Sequence, residues 1–439
     1  MKNLCDLTSN LYEACGVEKF LFCVWTPADP DSTTLVDCNI KLQIFGVKGY
    51  NQIFNINPDN ALLVATMLTT VINEKNIMVV GYNFKNLYTL FGRLCGKNIF
   101  FKYFYDLYWY ESYNSLPSSV GNIGMATKNF ITFTKDASAI KLYKLIYMQL
   151  IQQVVPALES FILRHDFKCV LVYPNYVVEG QENGRLLCNN EKKYSYNPHS
   201  LGGDKSALTL PQKYTYFMQM DYKNMEVAVL AEIANDENLL KIVNNSEDVY
   251  ADIFYKVTGD INFENAREFG KKMFLPVIYG QTANSLSKVL DISLDQSEKF
   301  INNLREQFPA SFHFVEKSSN EARSQGFCLD YFGRKRIFDD STYYKARNFV
   351  VQSPASLICL YYLVKLYKGA KNLFSLVFHV HDGYFMAISK ENLKDGYKVA
   401  KNILESENEL IPSLKLKVSS KIGLRLDNMQ STEKHKGKK

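Results

Sequence analysis

No stretch of this 439-residue chain reaches about 18 consecutive apolar residues, so no membrane-spanning helix is expected. Met1 to Cys15 lacks the unbroken apolar centre of a secretory leader. The nine cysteines include no Cys-x-x-Cys pair and nothing with zinc-ligand spacing. A chain this long does not depend on disulfides, and the pattern predicts a reducing compartment. No internal repeat is visible. An excess of one charge is missing too: Lys+Arg 51 against Asp+Glu 45 leaves +6. That is compatible with nucleic acid without being a signature of it. Only the end, Thr432 to Lys439, is locally basic, with four lysines and one glutamate. It reads as a disordered tail.

What is present fits an ordinary globular protein of two to four domains, 47% apolar and 22% charged. Lys19 to Thr26 and Leu42 to Phe45 read as strands, Ala61 to Asn73 as a helix, and Asn76 to Gly81 as a short buried strand. This predicts a small α/β layer. Ala137 to Arg164 reads as helical, with a break near Pro156. After a loop-rich stretch, Phe217 to Asp221 reads as a strand and Asn224 to Ala234 as a helix. Residues 235–325 read as almost entirely helical. Gly326 to Phe338 reads as a hairpin turning at Gly333, and Tyr344 to Lys368 as a helix. Leu373 to Ile388 reads as a second hairpin turning at His381 to Gly383, and Leu414 to Ser419 as a last strand. A helical block between a strand and a later hairpin predicts an α+β fold.

Three constellations carry chemistry. In Met220-Asp221-Tyr222-Lys223-Asn224-Met225-Glu226 a carboxylate stands at a strand end, a rigid support for a metal. Taken alone, Asp221 reads equally as a cap of the next helix. In Val377-Phe378-His379-Val380-His381-Asp382-Gly383 a carboxylate stands at a hairpin tip, where a turn-forming role is the plain alternative. His379 and His381 would share a strand face if the backbone stayed extended, but a zinc site lacks a third ligand nearby. In Arg267-x3-Lys271-x3-Leu275-x3-Tyr279-Gly280 the spacing of four aligns two cations, an alkyl chain and a phenol on one helix face. That face suits phosphates at one end and sugar and base at the other. A solvated basic face is the plain alternative.

Together these segments resemble family A DNA polymerases, in which D-Y-x3-E, R-x3-K-x7-Y-G and V-H-D occur in this order. Gly184-Arg185-Leu186 is similar to the G-R-L before the palm, Gly333-Arg334-Lys335-Arg336 to the G-R-x-R turn, and Asn348 to Gln352 to the N-x3-Q helix, closest to its form in phage replicative enzymes. The resemblance implies a template-directed DNA polymerase with Asp221 and Asp382 holding two Mg²⁺ ions. It implies that Arg267, Lys271, Leu275, Tyr279 and Glu226 bind the nucleotide, with Lys271 protonating pyrophosphate and Glu226 crowding the 2′ position. Arg185, Asn348, Gln352 and His381 would contact primer–template DNA. The expected setting is intracellular, in the cytoplasm or at a viral or plasmid replication site.

The resemblance has gaps. Gly383 stands where an acid usually follows H-D, Leu275 where Phe or Tyr is usual, Pro276 where Gly is usual, and Tyr344 where the N-x3-Q helix usually has Arg. Pro276 is expected to bend its helix. Residues 1–150 resemble a 3′–5′ exonuclease domain of RNase H-like α/β type, but Cys23, Trp25 and Leu87 occupy three positions of its acids. Asp136 remains, and reads as a helix cap. Three such side chains cannot supply a carboxylate cage for metal, so proofreading is expected to be lost. Residues 151–183 resemble a much reduced thumb, entered by a helix over Val155 to Val170. Palm would then cover 184–234 and 326–431, fingers 235–325, and the tail 432–439. A processivity partner, docking on the N-terminal domain or in place of the thumb, is expected. The competing reading is a non-catalytic, DNA-binding replication scaffold.

Overall fold

The computed structural model describes residues 20–27, 40–45, 51–95, 99–120, 123–160, 163–165, 170–178, 181–188, 195–200, 205, 208–370 and 372–432. Met1 to Cys15 and all but the first residue of the expected tail, Thr432 to Lys439, lie outside them; Thr432 itself donates its amide to Ser420 at 3.0 Å. Two compact units emerge. The first comprises 1–219, 360–400 and 420–439, and the second 220–359 and 401–419.

The first unit begins with an α/β layer. Strands β1 (Phe20–Pro27), β2 (Ile40–Phe45) and β3 (Asn51–Ile56) are followed by helix α1 (Ala61–Glu74), β4 (Met78–Gly81), α2 (Phe84–Cys95) and β5 (Tyr103–Asp106). The sheet order is β3-β2-β1-β4-β5, with β1, β4 and β5 parallel to one another and β2 antiparallel to both neighbours. Helix α3 (Leu107–Tyr113) leaves β5 directly, capped by the Asp106 side chain. Helix α4 (Ile123–Lys135) and a helical run from α5 (Ala137–Leu142) follow. Aromatic residues cement this layer: Trp109 is fully buried, and its ring lies 5.6 Å from Phe133, 5.1 Å from Tyr143 and 4.8 Å from Tyr147.

The run from α5 continues through two wider π turns to α6 (Val155–Ser160), and Pro156 lies just after the second of them. The helix does not extend to Val170. Leu163–His165 forms strand β6, paired antiparallel with β7 (Val170–Pro174) and β11 (Leu208–Thr209). Pairing with two neighbouring strands outweighs the helical apolar spacing there. The short strands β8 (Tyr176–Val177) and β9 (Leu187–Cys188) pair with each other, and β10 (Ser195–Tyr196) joins β7.

A second five-stranded sheet has the order β15-β16-β12-β17-β18, from β12 (Tyr216–Tyr222), β15 (Phe374–Val380), β16 (Gly383–Ile388), β17 (Val418–Gly423) and β18 (Gln430–Ser431). The unit division passes through β12 and β17. The last long strand lies later in the chain than the Leu414 to Ser419 expected.

The second unit is mainly helical. After α7 (Met225–Ile233) come α8 (Glu237–Asn245), α9 (Val249–Thr258), α10 (Ala266–Ile278), α11 (Ala283–Leu290), α12 (Leu294–Gln307) and α13 (Pro309–Gln325). Local signals set the boundaries: Asp236, Asp248, Thr282 and Ser293 each cap the helix they precede, and Ser293 with Gln296 forms a full capping box. Helices α9 and α10 cross so closely that a Cβ on Gly270 would lie 2.0 Å from the Tyr250 carbonyl oxygen. Strands β13 (Phe327–Leu329) and β14 (Lys335–Ile337) form the hairpin expected around Gly333.

Helix α14 (Ala346–Gly369) begins in the second unit and ends in the first. Tyr343–Gly369 is long and apolar enough to cross a membrane, but 89% of its most apolar window is buried in the protein. Leu360, Leu363 and Leu366 are at most 1% exposed. Each such burial contributes roughly 1.5–3 kcal/mol, so the apolar surface is already spent on the core.

Candidate active site

In the second unit, Asp221 occupies the last turn of the pleat in β12 and is partly exposed. The side chains around it are anchored: Tyr222 is buried and donates to the Leu404 carbonyl at 3.0 Å, and the Lys223 amide donates to Lys417 at 2.8 Å. The cap of α7 is Asn224, in a left-handed conformation at φ 54° and with no side-chain capping bond. The capping alternative for Asp221 therefore falls away. Glu226, in the first turn of α7, accepts a 2.5 Å hydrogen bond from the Tyr279 hydroxyl at the end of α10. Two residues assigned to one nucleotide from distant segments thus touch.

Along α10 the cationic end is open and the apolar end is packed. Arg267 and Lys271 are exposed, whereas Leu275 and Tyr279 are half-buried against the helical core. Arg267 is not idle: its guanidinium lies 2.7 Å from Asp248, the cap of α9. Pro276 lies inside α10, two residues before its end, and removes one ladder bond there. Gly280 follows at φ 104°, and a Cβ there would come within 3.2 Å of the Arg347 guanidinium. The positive φ favours glycine, whereas the Arg347 side chain could shift to make room for a Cβ. Arg347, one turn beyond Tyr344, escaped the sequence reading, although a cation next to Asn348 was a visible signal.

Asn348 and Gln352 are partly buried and one turn apart on α14. Their neighbour Ser353 donates to Asp330 at 2.6 Å. Asp330 also accepts from the amides of Phe332 and Arg334 at 2.9 and 2.8 Å, closing the Gly333-Arg334 turn. Burial pushes the Asp330 carboxyl up, while the Arg334 charge and these hydrogen bonds oppose it. Asp330 was missed because its partner Ser353 lies 23 residues away.

In the first unit, Val380 pairs with Gly383, leaving His381 and Asp382 as a two-residue turn with His381 at φ 55°. The turn separates the two histidines. His379 is 3% exposed, while His381 is exposed, so the shared face expected from an extended backbone does not form. His379 Nδ1 donates to the Gly383 carbonyl at 3.1 Å. Since a carbonyl only accepts, Nδ1 carries the proton. Burial, aided by the charges of His199, His381 and Arg185, pushes this imidazole down to about 3 and keeps it neutral. His381 stacks on His199 at 5.1 Å, a contact no local pattern announces. The Arg185 charge also lowers His199, whose chief cause is burial. Arg185, His199, His379 and His381 thus form one electrostatic neighbourhood. Asp382 is partly exposed, and Gly383 is buried. Among the described residues no three His, Cys, Asp or Glu side chains form a ready metal cage.

Three positions at which the resemblance to an exonuclease domain would expect acids carry Cys23, Trp25 and Leu87. Cys23 is buried on β1, and burial pushes its thiol far up. Leu87 is fully buried on α2. Trp25 lies on β1. Asp136 accepts from the Ala139 amide at 2.9 Å and caps α5, as expected.

Residues 176–428 match the family model of DNA polymerase family A. The chain belongs to DNA polymerase family A. It is similar to the thermostable DNA polymerase I of Thermus aquaticus, 26% identical over 213 residues that cover 45% of this chain and 26% of the relative. Against the DNA polymerase I of Chloroflexus aurantiacus the values are 23%, 276 residues, 59% and 29%. Against that of Caldicellulosiruptor bescii they are 27%, 263 residues, 56% and 30%. The matches therefore span less than a third of these curated relatives. Among solved structures, the POL domain of Pol1 from M. smegmatis, in complex with DNA primer-template and dNTP, aligns with a TM-score of 0.78. That alignment covers 96% of this chain and 98% of the other at 13% identity, which speaks for the fold. The α+β, polymerase-type architecture of this family A member is thereby established.

Proposed function

We propose that the protein is a template-directed DNA polymerase that adds deoxynucleoside triphosphates to a primer 3′ end. The observation that carries this is the hydrogen bond from Tyr279 to Glu226. It joins the end of the basic helix α10 to the helix that follows Asp221, so one compact unit holds a phosphate-binding face, a sugar-sized gate and a carboxylate.

In this reading Arg267 and Lys271 grip the triphosphate, and Lys271 delivers a proton to the departing pyrophosphate. For Arg267 the Asp248 carboxylate is the resident competitor. Tyr279 lies beside the templating pair, Leu275 lines the sugar, and Glu226 crowds a ribose 2′-hydroxyl. Arg185, Asn348, Gln352 and His381 hold the primer–template near its growing end. Asp221 and Asp382 are partly exposed oxygen donors on strand ends, the kind of ligand magnesium takes one or two at a time, with water and substrate phosphates completing its shell. The donor set therefore fits two Mg²⁺ ions even without a preformed cage. Bound there, they would lower the pKa of the primer hydroxyl and stabilise charge on the transferred phosphoryl group.

The deciding experiment is primer extension by the purified chain with Mg²⁺ and with chelator. Extension that requires Mg²⁺ supports the reading, and its complete absence on several primer–templates rejects it in favour of a non-catalytic scaffold. A mismatched 3′ end incubated with Mg²⁺ and no nucleotides should stay intact, since Cys23, Trp25 and Leu87 supply no carboxylate. The short connector between α6 and Gly184 suits a reduced thumb, few remote phosphate contacts and salt-sensitive DNA binding. A processivity partner on the N-terminal layer or in the thumb's stead would compensate. Addition of hundreds of nucleotides per binding event by the chain alone, at near-physiological salt, would remove that need. The thiols of Cys23, Cys188 and Cys328, none of them in a disulfide, suit a reducing, intracellular setting.

A further inference from the structure

We infer that the N-terminal α/β layer serves the polymerase reaction as a positioning device: a buried polar relay from Lys85 through Glu159 and Tyr176 to His379 fixes the turn that carries Asp382. The link to catalysis rests on the proposed role of Asp382, whereas the link between layer and turn stands on geometry alone.

The relay starts on α2, where Lys85 Nζ lies 2.7 Å from Glu159 Oε1 on α6, with both side chains at most 5% exposed. The Thr89 hydroxyl, one turn along α2, donates to Glu159 Oε2 at 2.9 Å. Glu159 Oε1 also accepts the Tyr176 backbone amide at 2.8 Å. The Tyr176 side chain is fully buried and turns toward β15. Its hydroxyl accepts from the His379 amide at 2.8 Å and donates to the His379 carbonyl at 2.9 Å. The His379 ring then donates to Gly383, on the far side of the two-residue turn. Both ends of the turn at His381 and Asp382 are therefore held, one directly by Tyr176 and the other through the His379 ring.

Such a construction is costly unless it is complete. A buried lysine–glutamate pair needs its additional hydrogen bonds to offset desolvation, and a missing partner leaves a buried charge or orphaned backbone groups. Simple adhesion between layers would be served as well by apolar contacts. What a satisfied polar network adds is one defined geometry, and this one terminates at the two backbone groups that precede His381 and Asp382. A catalytic carboxylate must be held to within about half an ångström by its supporting groups. A cavity of about 270 Å³ borders Lys85, Asp106, Trp109 and Tyr176, so Lys85→Met has room to adjust without overpacking.

Two readouts test the relay on the full chain. Hydrogen exchange without metal, followed by mass spectrometry, reads the segment 377–385. Tyr176→Phe keeps the ring and removes both bonds to His379, so exchange there should rise about 10- to 100-fold, while α12 and α13 remain unchanged. Lys85→Met should act in the same direction by about threefold. In primer extension both variants should lower kcat and raise the Mg²⁺ concentration for half-maximal rate, with the dNTP KM within about twofold. The inference is overturned if Tyr176→Phe leaves exchange of 377–385 unchanged, or if it accelerates exchange equally throughout. If neither variant folds, exchange of the native protein decides. The amides of Tyr176 and His379 should open together with those of α2, and independent opening rejects the relay. Should Asp382→Ala retain full activity, the metal assignment fails while the exchange result still judges the relay.

Discussion

Two sets of strand-end aspartates in this molecule differ sharply in burial. Asp106 ends β5 of the N-terminal layer, and Asp221 and Asp382 end or follow strands of the second sheet. All three leave a strand for a turn or helix, and sequence pattern alone treats them alike. Asp106 is 2% exposed, and its two carboxylate oxygens accept the amides of Asn83, Phe84 and Tyr108 at 2.9 to 3.1 Å. Those bonds staple the starts of α2 and α3 to β5. Asp221 and Asp382 remain partly exposed. A carboxylate whose lone pairs are consumed by buried amides is structural, whereas one that faces solvent retains capacity for a cation. Burial separates Asp106 from the other two.

The sharpest way to break this comparison is to truncate each class. Asp221→Ala and Asp382→Ala should each lower primer extension at least about 10²-fold, because metal clamping supplies several kcal/mol, while Tm changes little. Asp106→Ala should do the reverse at the level of chemistry. It orphans buried amides, each costing about 1–3 kcal/mol, and lowers Tm, while its Mg²⁺ dependence stays that of the parent. Melting curves beside extension rates decide, and full activity in either Asp221→Ala or Asp382→Ala would end the two-metal assignment.

The pH response of Asp106 sharpens the contrast. Burial pushes its carboxyl up to about 6, against the opposing amide bonds from Phe84 and Asn83. The ordinary value in an unfolded chain is near 4. Between these values the folded state binds more protons than the unfolded state, so this group's contribution to stability is present below about pH 4 and lost as pH rises through about 6. A shift of about two units corresponds to roughly 3 kcal/mol. Asp106→Asn lacks the titration, so the stability of the parent minus that of the variant should fall by that order between pH 4 and 7. Denaturant midpoints at both pH values measure it. A constant difference would mean that Asp106 is charged at no cost.

Much of the chain from Phe217 onward was legible because its signals are local. The strand at Phe217 to Asp221, the helices between Asp236 and Gln325, and the hairpin around His381 follow from apolar period, capping residues and turn chemistry, each confined to about ten residues. The Arg267 to Tyr279 helix face also survived intact. What escaped were groups whose meaning lies in distant partners. Asp106 meets Asn83, Tyr176 meets His379 across 203 positions, and His199 stacks on His381. Strand β6 was read as helix because β7 and β11, which pair with it, are invisible from Leu163 to His165 alone. The same limit hid the fate of His379: period two placed it beside His381, but a left-handed residue at the turn sent the rings apart.

Glu226 stands between the two classes, half-buried and already bonded to Tyr279. If it is the sugar gate, Glu226→Ala should raise ribonucleotide incorporation relative to deoxynucleotide by about 10- to 100-fold, the scale of one steric exclusion. Tyr279→Phe removes only the hydrogen bond and should shift the ratio by about threefold or less. Competition assays with paired nucleotides read both. An unchanged ratio in Glu226→Ala would assign the gate elsewhere, with Leu275 the first alternative on the same helix face.

The smallest effect belongs to Asp248. Asp248 pairs with Arg267 at 2.7 Å, but the arginine side chain is 62% exposed. Exposed pairs contribute at most about 1 kcal/mol. The Asp248 side chain has a second duty, accepting the Ala251 amide at 3.3 Å as the cap of α9. Asp248→Asn preserves that acceptor and removes the charge, so stability should hold within about 0.5 kcal/mol. If Arg267 must leave Asp248 to reach a triphosphate, the variant releases a competitor and the dNTP KM should fall about two- to fivefold. The gain should shrink at high salt, which screens the parent's pair. If Asp248 instead aims the guanidinium at the phosphates, KM should rise in the variant and recover in Asp248→Glu. Steady-state extension at two salt concentrations separates a competitor from a guide.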